Sequence, residues 1–542
     1  MKKLFCMILA LCMIMSGMIF CVSATESDTQ SEDSIASVTV GESTRYYTTF
    51  EEAVTAVNAV EENENWVVFS ILKNFSDTTN ATANSAVNGA RKITRKNVEI
   101  QGNGYTVSHT NSKSKYEPYL EFAGENFKLS NLTIHSNSAG FSVTGYGEYT
   151  IDHVTITVKG TTDASVIDTA RLIGNAGGAL KITLKDCNFS NNWKRAFNVV
   201  AGANTVDVTM NGGSYSSTSN KYRPNDITSC SADSVFTFSN AYVYGITTAA
   251  LRVCAGAKGK VTVESGLFYN AGTGEVFVNL GAVDVTVNGG TYVSSNSSAK
   301  GSTTQYRIAN VTIDTSKSGT LTVNGGRFLY LGTLGKDVYG AYSTDGSTFT
   351  KYPDNSNSLV IGQETAPSTL IGASVRLKAE PGIRFESEVG KARLEALKQF
   401  AAELALKDGS AAEVTYGTLV IPKTLLGDRA LTHAAFDGVE DVALKFADIV
   451  AKDGIHYDAD GNATIYAAIT GIPYAQNEAV LVARAYAKVT AGGFTFYVYS
   501  ETTTERSMQY VATAAKADAE TYNRLNAEQK AMLESYINGG AE

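Results

Sequence analysis

Arg171, Arg252 and Asp168 are the residues whose types and placement best suit work on a polysaccharide. A lyase needs carboxylates to hold Ca²⁺, which acidifies the sugar proton, and an Arg or Lys to remove it; a glycoside hydrolase needs two carboxylates across the scissile bond. These residues lie in or beside similar runs: ARLIGN (170–175), AFNVVAG (196–202), ALRVCAG (250–256) and VFVNLG (276–281). Alternation in ALRVCAG sends Leu251 and Val253 to one face and Arg252 to the other, and the matching column takes Arg171, Asn198 and Phe277. Asp168, Trp193, Lys194 and Arg195 stand just ahead of the runs, and the loop SNKYRPNDITS (219–229) adds Tyr222, Arg223 and Asp226. Together they are candidates for a groove with cations and aromatic platforms facing an anionic or neutral glycan. The plainest reading is an ordinary polar outer surface, because no Asp pair or Asp-x-x-Asp cluster recurs at a matched position in adjacent runs. Binding ranks next and catalysis by Arg171, Arg252 and Asp168 last, with Ca²⁺ as cofactor only in a lyase and no cofactor otherwise.

The elements that must position these residues repeat. VTVNGGTY (285–292) has near-copies VTMNGGSY (208–215) and LTVNGGRF (321–328). Aligning the turn of this phrase along the chain finds nine units from IQGNGY (100–105) to VNGGRF (323–328), at intervals of 22 to 36 residues. In each, an alternating strand meets a tight corner and alternation resumes. The position of Gly289 holds Asn131, His153, Asp186, Gly212, Asn240, Ser265 and Gly325, types that accept a left-handed backbone. The position of Tyr292 holds Ile134, Ile156, Phe189, Tyr215, Val243, Phe268 and Phe328, all apolar or aromatic, which predicts an inward stack.

Aligned corners at coil-sized spacing resemble the right-handed parallel β-helix, or pectate-lyase-like, superfamily over about 95–335. The resemblance implies a mainly β rod of about nine coils and carries no catalytic motif. The Asp-Asp and His-Gly motifs of the related pectin hydrolases are absent, and the Gln and Asp pattern of pectin esterases is not evident. A β-sandwich is the alternative fold. TTFEEAVTAVNAV (48–60) predicts an amphipathic helix with Thr48 or Thr49 as N-cap, and WVVFSIL (66–72) a buried strand; their order resembles the N-terminal cap of secreted bacterial β-helix proteins.

The chain opens MKKLFCMILALCMIMSGMIFCVSA, a charged start, an apolar core and small residues before a cleavage site near Ala24, which predicts a secretory signal peptide. No later stretch reaches the ~18 apolar residues of a membrane span. Losing Lys2 and Lys3 takes the formal charge from −9 to about −11, which argues against nucleic acid and anionic membranes as partners. The expected organisation is signal peptide 1–24, leader 25–36, cap 37–95, β-helix 96–342, linker or last loop 343–368, and a separate α+β module 369–542, in which 388–409, 507–519 and 527–537 read as helices. ASVRL (373–377), GIRFESEV (382–389), YGTLVIP (416–422) and ERSMQYVA (505–512) resemble a module recurring in secreted Firmicutes proteins, which implies origin and no activity. Cys187, Cys230 and Cys254 remain after the signal; three buried thiols is the favoured reading, with one bridge open. The five histidines show no metal-ligand spacing, and Asp458-Ala459-Asp460-Gly461-Asn462 reads as a hairpin turn rather than a Ca²⁺ loop. The leading expectation is a secreted or cell-surface, non-catalytic protein displaying a binding face for cell-wall or host glycans, or acting as an adhesin. A polysaccharide lyase or glycoside hydrolase, and an architectural spacer, are the alternatives.

Overall fold

The computed structural model describes residues 29–540 apart from 80–90, 112–117, 139, 161–167, 220–224, 248, 273, 275, 296–304, 309–310, 315–318, 332–340, 343–349, 352–357, 362–368, 379, 441–445, 452–454 and 501. The expected signal peptide, Tyr222 and Arg223 lie outside the described residues, as does most of the expected linker.

Among the described residues the first two-thirds of the chain forms three long sheets, here I, II and III, of 12, 11 and 10 strands. The chain visits them in turn: Tyr146–Asp152 lies in sheet I, Thr155–Val158 in II, Ala170–Leu172 in III, and Leu180–Lys185 returns to I. Successive strands within each sheet pair in parallel, with antiparallel strands only at the ends. This stack of parallel sheets is compatible with a parallel β-helix and excludes a β-sandwich, whose strands pair antiparallel.

Period-two alternation puts the core between the sheets. Ile134, Ile156, Phe189, Tyr215, Val243, Phe268, Tyr292 and Phe328 are in register down sheet II and almost wholly buried, the inward column that the repeated phrase predicts; in the first unit Val107 takes the place that the alignment of IQGNGY gives Tyr105. Tyr292 stacks on Phe268 at 5.1 Å and on Phe328 at 4.9 Å. The corners behave as read at Asn131, His153, Asp186, Gly212 and Asn240, which all have φ between 51° and 78° except Asp186 at 46°. In the last units the left-handed residue is one position later than expected, at Gly266, Gly290 and Gly326 rather than Ser265, Gly289 and Gly325. Their φ of 91–124° lies beyond the range side chains tolerate, so the bend settles on the second residue of the pair, always glycine.

At the corner between sheets II and III, inward polar side chains close the turn. Asn191 Oδ1 accepts from the backbone of Trp193 (3.0 Å) and Lys194 (2.7 Å), and Asn270 Oδ1 from Gly272 (3.0 Å). They supply partners that a buried turn cannot take from water.

The helix Phe50–Ala59 starts at Thr49, whose hydroxyl accepts from Glu52 N, and buries Phe50, Ala53, Val54 and Val57 against the first strands. The expected leader ends earlier than 36: Ser34 and Ile35 are buried and Ala36 opens a strand. Within the expected linker, Ser358–Ile361 pairs antiparallel with Gly326–Leu329.

From Thr369 onward the chain forms a four-stranded and a five-stranded antiparallel sheet with the helices Lys391–Ala405, Met508–Ala517 and Ala527–Asn538, close to the ranges expected. His456–Tyr457 pairs with Ala463–Thr464 across Asp458–Asn462, so that segment is the hairpin turn it was read as. This C-terminal unit does not stand apart from the solenoid: its apolar side chains join one cluster with Leu267, Val293 and Leu329 of sheet II. None of the described helices is long and apolar enough to cross a membrane.

Candidate binding face on the third sheet

One outward column of sheet III runs Lys92, Glu121, Ser142, Arg171, Asn198, Asp226, Arg252 and Val278 in continuous register. Parallel strands stand ~4.8 Å apart, so side chains in such a column are within reach of their neighbours above and below. The column brings together Arg171, Asn198 and Arg252 as expected and adds Asp226, which was read as part of a loop but lies in the strand Asn225–Ser229.

Asp226 is the hub. Its side chain is wholly buried. Arg195 Nε donates to Oδ2 at 2.5 Å, and Arg252 donates through Nε to Oδ1 at 2.9 Å and through Nη2 to Oδ2 at 2.6 Å. Asp168 is held in the same way: its Oδ1 accepts from Arg195 N at 3.2 Å and faces Nη1 at 3.4 Å, and its Oδ2 accepts from Asn198 Nδ2 at 2.7 Å. Thr228 Oγ1 donates to Asn198 Oδ1 at 2.8 Å and so fixes the amide's orientation. Burial works against the Arg195 charge, but Asp226 and then Asp168 outweigh it and hold that pKa above its ordinary value. Farther along, Lys92 pairs with Glu121 at 2.8 Å and Thr144 Oγ1 donates to the same carboxylate.

This arrangement limits the chemistry. Asp168 and Asp226 each already accept three hydrogen bonds from donors within the face, which uses most of the acceptor capacity that a Ca²⁺ ligand or a general base needs. No group of three or more metal-ligating side chains occurs among the described residues. Arg171 differs from its neighbours: its Nε is buried without a hydrogen-bond partner among the described residues, directly beside Asn198.

Of two expected platforms, Phe277 is buried and Trp193 is partly buried. Phe277 pairs with Leu251, not Arg252, and is fully buried in the core; Val278 takes the outward position. Val276 and Phe277 are consecutive apolar residues, both buried, so alternation does not fix the register there, and a one-residue slip exchanges the two faces. Trp193 packs against the core and donates Nε1–H to Gly160 O at 2.9 Å, so its indole is pinned. Lys194 is half-buried.

The three described cysteines are unbridged; Cys187 and Cys230 are buried and Cys254 partly so, two positions beyond Arg252. His153 sits at a corner with φ 53° and its Nδ1 lies 2.6 Å from Asp152. IGNAGG (173–178) is likewise a corner, with Gly174 left-handed and a bridge between Asn175 and Gly178. Comparison with protein-family models, curated proteins and solved structures finds no match for this chain.

Proposed function

We propose that this is a secreted, non-catalytic protein that displays the sheet III face as a binding surface for anionic glycans. One observation carries the reading. The buried carboxylates of Asp168 and Asp226 have their oxygens engaged by Arg195, Arg252 and Asn198, while Arg171 keeps a buried Nε without a partner among the described residues. The acids act as internal braces, and Arg171, whose Nε has no partner among the described residues, is the group we assign to a carboxylate, sulfate or phosphate on a polymer.

The finer fold reading accompanies this proposal: a right-handed, pectate-lyase-like β-helix of about nine coils, with the Phe50–Ala59 helix as its N-terminal cap. The segment 369–542 is then an α+β module of the kind found in secreted Firmicutes proteins. A rigid stack with braced side chains suits recognition of a repeating polymer, because little freedom is lost on binding.

The test is a screen of the mature protein against acidic and neutral polysaccharides, with and without Ca²⁺. It reads binding and the ultraviolet absorbance of unsaturated products together. Binding without products, weakened by Arg171→Gln, is the expected result. Products would replace this reading with a lyase and make Arg171 and Arg252 the first residues to examine, and silence in both channels would leave an architectural rod.

A further inference from the structure

The outward side chains of sheet II change character partway along the stack. One column begins Thr106, Thr133, Thr155, Asn188 and Ser214, becomes Tyr242 and Leu267, and ends in Thr291 and Arg327, which are polar but buried. In the neighbouring column Ser190 and Ser216 give way to Tyr244, Tyr269, Val293 and Leu329. A strand with one wet face keeps its apolar–polar alternation; one covered on both faces loses it. The sequence of the late strands therefore demands a cover on the outside of the solenoid, whatever lies there.

The C-terminal unit lies there. Leu267, Val293 and Leu329, each exposed by 1% or less, pack with Leu397, Phe400 and Phe494. Polar contacts fix the seat. Glu403, 6% exposed, accepts from Thr291 Oγ1 at 2.6 Å and faces Gly266 N at 3.4 Å. The Arg327 guanidinium lies 3.8 Å over the Phe400 ring, and Phe494 meets Tyr269 edge-on at 5.1 Å. A carboxylate buried in this way needs donors placed for it, and the solenoid supplies two.

We propose that the late half of sheet II is a self-sufficient dock for residues 369–542, one that holds the unit without the covalent connection. The unit is then a fixed cover that reserves this face for itself and leaves sheet III as the open side. This gives the C-terminal third a role that does not depend on what sheet III binds.

The experiment places a specific protease site between Ile361 and Thr369 in the full chain, cuts it, and follows both fragments by size-exclusion with light scattering. Co-elution at the mass of one chain is expected. Separation of the fragments overturns the proposal. Elution at twice that mass, with exchange of labelled fragments between copies, also overturns it and assigns the seat to a second copy. Leu267→Thr with Leu329→Ser restores the hydroxyls of the early strands and leaves the interior of both parts untouched. It should weaken retention about a hundredfold, tenfold for each buried side chain lost. Glu403→Gln should keep the unit seated, whereas Glu403→Lys, which sets a third cation near Arg327 and Arg393, should release it while each fragment keeps its circular dichroism. Retention unchanged in both the Leu267/Leu329 and the Glu403→Lys variants would show that this surface does not hold the unit.

Discussion

Replacing Asp226 by Asn separates a structural brace from a catalytic carboxylate. The substitution keeps shape and one acceptor oxygen but removes the charge that faces two guanidinium groups. Three charge-assisted hydrogen bonds, at 2.5, 2.6 and 2.9 Å, are then lost or weakened. Each such bond is worth about 1.5–3 kcal/mol, and removing one partner of a buried ion pair costs about 3–5 kcal/mol. Arg195 and Arg252 keep 21% and 17% side-chain exposure, so water partly resolvates them and the lower end, about 3 kcal/mol, is expected. Denaturant unfolding of the solenoid transition, followed by intrinsic fluorescence, measures this. In the double variant Asp226→Asn with Arg252→Gln the second change removes a cation already stranded, so the two losses should fall short of additive by about 1 kcal/mol or more. Glycan binding per folded molecule should change little. The refuting result is an Asp226→Asn protein of unaltered stability that has lost product formation on a polysaccharide, because the carboxylate would then be working on a substrate.

Three further perturbations test the framework. Burial takes the His109 pKa from 6.5 down to about 4, so between those values the unfolded chain binds the proton more readily and stability falls as pH drops. The penalty approaches about 3 kcal/mol near pH 4, and His109→Gln should flatten that limb of a stability–pH curve. Gly213 and Gly202 both have positive φ, but a Cβ on Gly213 would come within 2.1 Å of Cys187 O while one on Gly202 meets nothing within 4 Å. Gly202→Ala should therefore cost only the ~1 kcal/mol of a left-handed residue, and Gly213→Ala distinctly more, in thermal unfolding. Burial pushes the Cys187 thiol up to about 12, so mass spectrometry after native alkylation should find Cys254 modified well before Cys187.

Much of the architecture was legible because the solenoid repeats one local problem. A corner that must turn left-handed takes Asn, Asp, His or Gly, and a residue two or three positions on must fill the interior; both constraints recur along the stack and leave letters aligned to within one position. What the letters hid were register and context. Asp226 follows the polar stretch SNKYRPN and so reads as loop, yet Ile227 is fully buried and its strand pairs on both sides. The matched column read as Arg171, Asn198, Arg252 and Phe277 thus has an acid at its centre, and Asp226 offsets part of the positive charge of its arginines. Phe277 shows the converse failure, where two adjacent apolar residues leave the period undefined.

The cover on sheet II was written in the sequence in a form that a solenoid reading overlooks. AYVYG (241–245), GLFYN (266–270) and RFLY (327–330) lose the alternation that EYTID (148–152) and TITV (155–158) keep. Inside one β-strand that loss looks like a stronger core strand. Across several strands of one sheet at matched positions it means a second buried face, and a second buried face requires a second body. The same test applied to sheet III gives the opposite answer: its outward column stays polar through Arg252, where solvent or a ligand is the only neighbour the sequence anticipates. The two faces therefore differ in composition: the late half of sheet II carries large apolar side chains under a cover, and the sheet III column is polar and internally braced, with Ser142, Asn198 and Asp226 buried. Under the function proposed above, the ligand belongs on the side of Arg171, the one member of the column with a side-chain nitrogen unpartnered among the described residues.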